Sequence, residues 1–143
     1  MTDPDHPAEL FQLDRNTCLT LLTTQCVGRL VLPGDEPTIV VVNYAVDDDL
    51  ITFRTEAGSR AARAEPRPVL FEVDMVDTRT HSGWSVIVHG QLTPRRPDAP
   101  PVELDTWAPG DRDQWMSVTV DAIAGRLLRG PVTDRGHAVG GYV

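Results

Sequence analysis

Three short segments rich in β-branched residues follow one another with very short connections, and this spacing is the feature that most limits the fold. The segments are residues 27–32, 38–44 and 50–55. The sequence PGDEP separates the first two, and three consecutive aspartates precede the third; both are typical of turns. A parallel crossover needs a dozen or more residues, so these connections predict strands that are antiparallel to their neighbours.

The rest of the chain carries more strand signals than helix signals. Apolar alternation or short β-branched runs mark the other candidate strands, which are residues 69–74, 84–93, 117–120 and 123–128. Asp14 is a typical N-cap for a helix over residues 15–24, and a second helix is predicted over residues 60–65, where Pro66 ends it. The sequence therefore predicts a mainly β fold with short helices: about six antiparallel strands in a meander or Greek-key barrel, whose closure removes exposed edges.

The length of 143 residues suits one domain with a single core. Prolines and polar residues predict a flexible N-terminal arm over residues 1–12, and glycines predict a flexible tail over residues 130–143, so the folded domain is expected at residues 13–129. The first residues lack the basic end and apolar middle of a signal peptide, and the two cysteines form no CxxC pair. We therefore expect a cytoplasmic protein with no disulfide framework and no membrane segment.

The charge of the chain excludes several classes of function. All 13 basic residues are arginines, and 21 acidic residues bring the formal net charge to −8. An acidic chain does not attract a phosphate backbone, so nucleic acid is not an expected partner. The absence of lysine excludes Schiff-base chemistry and the phosphate-binding lysine of a P-loop.

Arginine is nevertheless concentrated in one place, after the third predicted strand. Residues 54–67 contain four arginines and two glutamates, and Gly58, Ser59 and Arg60 open the predicted second helix. Unpaired N–H groups and the partial positive charge at a helix N-terminus attract anions, and a glycine lets a ligand come close. This pattern predicts a phosphate site. The alternative is that Ser59 only caps a surface helix, while the arginines stay solvated or pair with the two glutamates.

The second candidate feature is the apolar run TIVVVNY at residues 38–44. Such a strand can form one wall of a flat apolar slot, with Asn43 and Tyr44 supplying polar contacts at its mouth. The alternative is a strand that belongs to the core alone. No other motif predicts chemistry, because the histidines lack metal-ligand spacing and Ser82 and Ser85 lack the surroundings of a nucleophilic serine. We therefore predict no metal site and no catalytic triad.

The order of several motifs resembles one known family. VVNY, a turn of aspartates, LITFRTEAGSR, VLFEVD and SGWSVIVHG follow one another as in the pyridoxamine 5′-phosphate oxidase-like, flavin-binding split-barrel proteins. The chain is most similar to their small actinobacterial and nitroimidazole-resistance-type members, and the resemblance covers residues 13–128. It implies a six-stranded antiparallel split β-barrel that forms a homodimer and holds two flavin mononucleotides (FMN), each at the subunit interface.

The resemblance also implies which residues contact the flavin. Those around the phosphate are Arg54, Thr55, Gly58, Ser59 and Arg60. Those along the ring and ribityl chain are Val42, Asn43, Tyr44 and Phe53, with Trp84 and Ser85 from the long fifth strand. No catalytic residue is implied, because a flavin supplies its own hydride and electron chemistry. The expected function is a flavin-dependent oxidoreductase that acts on a small organic substrate, with a reduced nicotinamide among the candidate electron donors.

Departures from the family pattern leave the cofactor and the activity open. The family commonly has lysine where Arg60 stands, and a planar guanidinium binds phosphate differently from a compact ammonium. A different cofactor is the deazaflavin coenzyme F420, whose phosphate and acidic tail also suit an arginine-rich groove. The barrel could instead bind flavin or haem without turnover, or form a dimer whose site is vacant. No substrate-binding arginine motif follows Arg126, so the activity of the true pyridoxamine-phosphate oxidases is not expected.

Overall fold

A computed structural model of the chain describes residues 7–131, and this range contains eight strands and one α-helix. The strands are β1 (Glu9–Leu13), β2 (Val27–Leu32), β3 (Thr38–Asp47), β4 (Leu50–Thr55), β5 (Arg67–Asp77), β6 (Ser82–Pro94), β7 (Gln114–Thr119) and β8 (Ala122–Arg129). The helix is α1 (Arg15–Leu22). Within residues 7–131 no helix combines the length and the apolar character that a membrane crossing needs.

Six of the strands close into a barrel in which all neighbours are antiparallel. The order β6-β5-β2-β3-β4-β7 is completed by pairing of β7 with the far end of β6, where Leu92 lies opposite Val118. The long strand β6 serves two partners, because its residues 83–89 pair with β8 and its residues 92–94 pair with β7. Strands β8 and β1 continue the sheet outside the barrel. The mainly β, antiparallel split barrel predicted from the sequence is confirmed.

Apolar side chains that alternate along the strands fill the barrel. Phe53 and Phe71 are fully buried, and the inward face of β6 contributes Val86 and Val88. Gly28 faces the Phe71 ring so closely that a Cβ atom there would overlap it, which leaves no room for a larger residue. Helix α1 packs against β8 and β6 and buries Cys18, whose Sγ lies against Gly125.

The N-terminal prediction needs a correction. Residues 9–12, expected in a flexible arm, belong to β1, which pairs with β8 from Glu9 opposite Arg129 to Leu13 opposite Gly125. The free edge of β8 supplies backbone partners that the local sequence of residues 1–12 does not reveal. Residues 1–6 of the predicted arm and residues 132–143 of the predicted tail lie outside the described residues.

One of the two predicted helices forms. Helix α1 begins after the predicted cap, where Asp14 Oδ1 accepts a hydrogen bond of 2.8 Å from the Thr17 N–H, and it ends at Leu22, two residues early. The second helix, predicted over residues 60–65, is wrong. Those residues form turns in which the Ala62 N–H donates to the Ser59 carbonyl at 3.1 Å. Six residues before a proline are too few to offset the cost of helix nucleation, and burial of Ala61 stabilises the turns instead.

Candidate functional site

The residues implied by the family resemblance fall into two groups that one chain does not bring together. The larger group lies on β3, β4 and the turns after β4, and consists of Val42, Asn43, Tyr44, Phe53, Arg54, Thr55, Gly58, Ser59 and Arg60. Trp84 and Ser85 lie at the start of β6, which is separated from β3 by β5 and β2. At about 4.8 Å per strand, β6 and β3 are about 14 Å apart across the sheet.

The end of β4 and the following turn place two hydroxyl groups side by side. The Oγ1 of Thr55, a buried residue, lies 2.9 Å from the Oγ of Ser59. Gly58 has a φ of +85°, a left-handed conformation that suits glycine, and it returns the chain toward β4. The predicted role of a helix N-terminus here is wrong, since turns follow Ser59; the same place holds a pair of neighbouring hydroxyl groups instead.

Two arginines, Arg54 and Arg112, line a cleft that Thr55 also lines. Arg54 Nε donates to the Arg112 carbonyl at 2.8 Å, and its guanidinium lies 5.2 Å from the ring centre of Trp115 on β7. Arg112 Nε is buried and has no hydrogen-bond partner among residues 7–131. We call Arg54, Thr55, Ser59 and Arg112 the β4 corner. The unpaired Arg112 N–H and the hydroxyl groups of Thr55 and Ser59 are hydrogen-bond donors of the kind that a phosphate group requires. The residues of the β4 corner therefore fit an anion.

The β4 corner opens onto a small cleft. Arg54, Thr55 and Arg112 line it together with residues 40–43, Thr106 and Ala108, and its volume is about 60 Å³. Asn43 is held at its edge, because its Oδ1 accepts the Trp107 N–H at 2.8 Å and its Nδ2 donates to the Cys26 carbonyl at 3.3 Å. Val42 borders the cleft and also packs against the core.

Tyr44 and Phe53 do not border this cleft. They are cross-strand partners on β3 and β4, and both side chains are buried inside the barrel. The Tyr44 hydroxyl donates to the Leu22 carbonyl, and burial raises its pKa. The interpretation that Tyr44 supplies a polar contact at the mouth of a slot is therefore wrong, because its hydroxyl is satisfied within the core.

Arg60 does not contact the Thr55 hydroxyl. Its Nη1 donates to Thr38 Oγ1, and its Nη2 donates to the Glu36 carbonyl at 3.0 Å. The exposed Arg60 side chain therefore lies against the turn between β2 and β3, next to the β4 corner along the chain but outside its hydrogen-bond network.

Arg112, Thr106 and Ala108 were not predicted from the sequence. They belong to the irregular connection between β6 and β7, which runs across the outer face of β3. Arg112 stands between Asp111 and Asp113, a pattern that indicates only a solvated loop. No local motif marks Arg112, because the path of the chain from β6 to β7 brings this residue to the cleft.

Trp84 and Ser85 line a separate and much larger groove, the β6 groove, with a volume of about 770 Å³. Trp84 is buried, whereas Ser85 is partly exposed and lies opposite Asp74 and Arg126 on the neighbouring strands. Exposed apolar side chains contribute to its walls, namely Leu10, Val76 and Leu128. Its size and apolar lining are typical of a pocket for an organic ring system.

Comparison with known sequences settles the family. The sequence model described as pyridoxamine 5′-phosphate oxidase matches residues 14–127. The chain belongs to the pyridoxamine 5′-phosphate oxidase family. An uncharacterised protein of Mycobacterium tuberculosis is 32% identical to this family member over 97 residues. That match covers 63% of this chain and 64% of the relative, so it spans less than two thirds of the relative's length.

Solved structures show the same fold. An FAD-binding protein of Mycobacterium smegmatis is 29% identical, with a TM-score of 0.66, over 83% of this chain and 98% of that protein. A candidate pyridoxamine 5′-phosphate oxidase of Corynebacterium glutamicum is 27% identical, with a TM-score of 0.71, over 85% of this chain and 99% of that protein. The family resemblance predicted from the order of the motifs is confirmed.

Proposed function

We propose that this family member binds a flavin nucleotide at the β4 corner and acts as an oxidoreductase on a small organic substrate. The observation that carries the proposal is the buried Arg112 Nε without a partner in the described range, in a cleft that is also lined by Thr55, whose hydroxyl contacts that of Ser59. The similarity to an FAD-binding protein of Mycobacterium smegmatis supports a flavin as the ligand. FMN is the smallest flavin nucleotide with the required phosphate, and coenzyme F420 is the alternative.

Each residue of the β4 corner has a binding role. The hydroxyls of Thr55 and Ser59 donate to phosphate oxygens, and Arg112 adds a charge-assisted hydrogen bond. The cation–π contact with Trp115 and the bond to the Arg112 carbonyl hold Arg54 in place before a ligand arrives. A bound flavin supplies the hydride and electron transfer, so the protein has to bind, orient and shield it.

The ring of the flavin requires a second copy of the chain. The cleft at the β4 corner, about 60 Å³, is far smaller than the ~300–1,000 Å³ that is usual for organic ligands. The β6 groove is large enough, but in the same chain it lies three strands from β3. We therefore propose a cytoplasmic homodimer in which the β4 corner of one copy faces the β6 groove of the other.

Flavin titration tests the proposal. Arg112→Gln should weaken FMN binding about tenfold to a hundredfold, equivalent to ~1.5–3 kcal/mol for a lost charge-assisted hydrogen bond. Thr55→Val should weaken it less, because one neutral donor is lost. The dissociation constants can be measured by quenching of flavin fluorescence, and the absorption spectrum of the purified protein distinguishes flavin, deazaflavin and haem.

Arg96→Gln is the matched control for this titration. Arg96 is exposed and pairs with Asp98 in the connection after β6, so the variant removes the same charge outside the β4 corner. Its flavin affinity should equal that of the wild type. Wild-type protein that binds neither FMN, FAD nor coenzyme F420, or a folded Arg112→Gln variant with unchanged affinity, would rule out the proposed site.

A further inference from the structure

Trp107, in the connection between β6 and β7, does not contribute to the core. Its side chain is 70% exposed, the highest value for a large apolar side chain among residues 7–131. A tryptophan stabilises a fold through the large apolar area that it buries, and Trp107 buries little. The fold therefore does not account for an indole at this position.

Trp107 is held at the edge of the cleft beside the β4 corner. Its N–H donates to Asn43 Oδ1 at 2.8 Å, and its two neighbours in the chain, Thr106 and Ala108, line the cleft. Val41 lines the cleft as well, and it is 65% exposed on the outer face of β3. We call Trp107 and Val41 the cleft rim.

The backbone that carries Trp107 is fixed on both sides of the cleft. The amide of Asn43 is itself held, because its Nδ2 donates to the Cys26 carbonyl at 3.3 Å. Further along the connection, the Arg112 carbonyl accepts a hydrogen bond of 2.8 Å from Arg54 Nε. A segment that is fixed before a ligand arrives loses less conformational entropy on binding, so the cleft rim is suited to recognition.

The connection around Trp107 is acidic. Residues 102–113 contain four acidic residues and one arginine, a formal charge of −3. The four are exposed and form no ion pair within the described part of the chain, and they are Glu103, Asp105, Asp111 and Asp113. Glu56 adds a fifth carboxylate, because its Oε1 lies against Gly110. Such surroundings repel an anion and attract a cation, and a cation also interacts favourably with the face of an indole.

We propose that Trp107 stacks on the organic substrate of the oxidoreductase, and that this substrate is a flat, unsaturated ring without a negative charge. This inference rests on the proposed flavin site. The cleft rim borders the β4 corner, so a ring bound there is a neighbour of the bound flavin. Stacking on an indole favours flat rings over saturated ones. The acidic connection disfavours a phosphorylated ring such as pyridoxamine 5′-phosphate.

Ring compounds of similar shape and different charge test the inference on protein loaded with the flavin that it binds. Benzamide is neutral, benzamidinium is cationic and benzoate is anionic, while cyclohexanecarboxamide is a saturated equivalent of benzamide. Benzamide and benzamidinium should bind about tenfold more tightly than benzoate and cyclohexanecarboxamide. Calorimetry measures the four dissociation constants without turnover.

Variants at Trp107 assign this binding to the cleft rim. Trp107→Leu should weaken benzamide and benzamidinium about tenfold, whereas Trp107→Phe should retain most of the affinity because it keeps an aromatic face. The dissociation constant for the flavin should change by less than twofold in both variants. Ile39→Ala is the matched control, because Ile39 is an equally exposed apolar residue of β3, at 67%, that does not line the cleft. It should leave every dissociation constant unchanged, and melting temperatures establish that all variants are folded.

The outcomes separate the inference from the proposed function. Flavin-loaded protein that binds none of the ring compounds, or that binds benzoate as tightly as benzamidinium, overturns the inference but leaves the flavin site. A folded Trp107→Leu variant with wild-type affinity for benzamide does the same. If that variant also dissociates into monomers, Trp107 belongs to the interface between two copies of the chain. A wild-type protein that takes up no flavin overturns both the inference and the proposed function.

Discussion

Tyr44 shows how a single hydroxyl decides whether a side chain belongs to the core or to the site. Its ring meets Phe71 edge-on, with centroids 5.2 Å apart, and its hydroxyl donates to the carbonyl of Leu22, the last residue of α1. The last carbonyls of a helix have no partner within the helix, so this bond satisfies a buried acceptor and ties α1 to β3.

Replacing Tyr44 by Phe should lower the free energy of unfolding by about 1–3 kcal/mol, because the Leu22 carbonyl then stays buried without a donor. Flavin affinity should stay at the wild-type value, since the side chain does not border the cleft. Urea unfolding and flavin titration measure the two quantities. A folded Tyr44→Phe variant with wild-type stability and weakened flavin binding would place Tyr44 in the site instead.

At the scale of elements, local turn sequences made the strands predictable. The sequence PGDEP ends β2, and the aspartates near residue 48 end β3. Both turns follow from their local sequence and do not depend on contacts with the rest of the chain. The segment 60–65 differs, because its conformation depends on Ala61 being buried, a tertiary contact. Helix propensity therefore predicted the wrong structure for that segment, although the neighbouring Gly58 and Ser59 were correctly predicted to form a turn-like break after β4.

Strands β2 and β5 also share a charged cluster on their outer face. Arg29 Nη1 lies 3.2 Å from Glu72 Oε1 and 3.3 Å from Asp74 Oδ2. Burial, together with the hydrogen bond and charge of Asp74, raises the pKa of Glu72 to about 7, although Arg29 opposes the shift. Glu72 therefore binds a proton more tightly in the folded than in the unfolded chain.

A carboxyl whose pKa is raised by folding stabilises the fold below its unfolded pKa and loses that contribution as pH rises through the folded value. For Glu72 the loss is expected between pH 4.5 and about 7. Glu72→Gln should remove this decline and stabilise the protein at pH 8 by about 1 kcal/mol, since solvent screens a partly exposed group.

Asp35→Asn, at an exposed position in the turn after β2, is the control and should keep the decline. Melting curves across this pH range measure the effect, and identical pH profiles for wild type and Glu72→Gln would contradict it.

At the scale of the whole molecule, barrel closure determines which parts of the site the sequence reveals. Arg54, Thr55, Gly58 and Ser59 are close in sequence, so a local motif marks them. Arg112 and Trp115 reach the same corner only because β7 pairs with β4, where Trp115 lies opposite Arg54. Long-range register of this kind leaves no local pattern, and the separation of the β4 corner from the β6 groove is likewise visible only in three dimensions.

Mixed dimers test whether the two halves of the site come from different chains. Arg112→Gln damages the β4 corner, and Ser85→Trp fills the β6 groove, so each variant alone should form dimers with two defective sites. A dimer that contains one chain of each variant should recover one tight flavin site, because its second site combines the unaltered corner of one copy with the unaltered groove of the other. Differently tagged chains allow the mixed dimer to be purified and its bound flavin to be counted by absorbance. If the β4 corner and the β6 groove act within one chain, each site of the mixed dimer carries one defect and no tight flavin site appears. A wild-type protein that is monomeric in gel filtration would also contradict the two-copy arrangement.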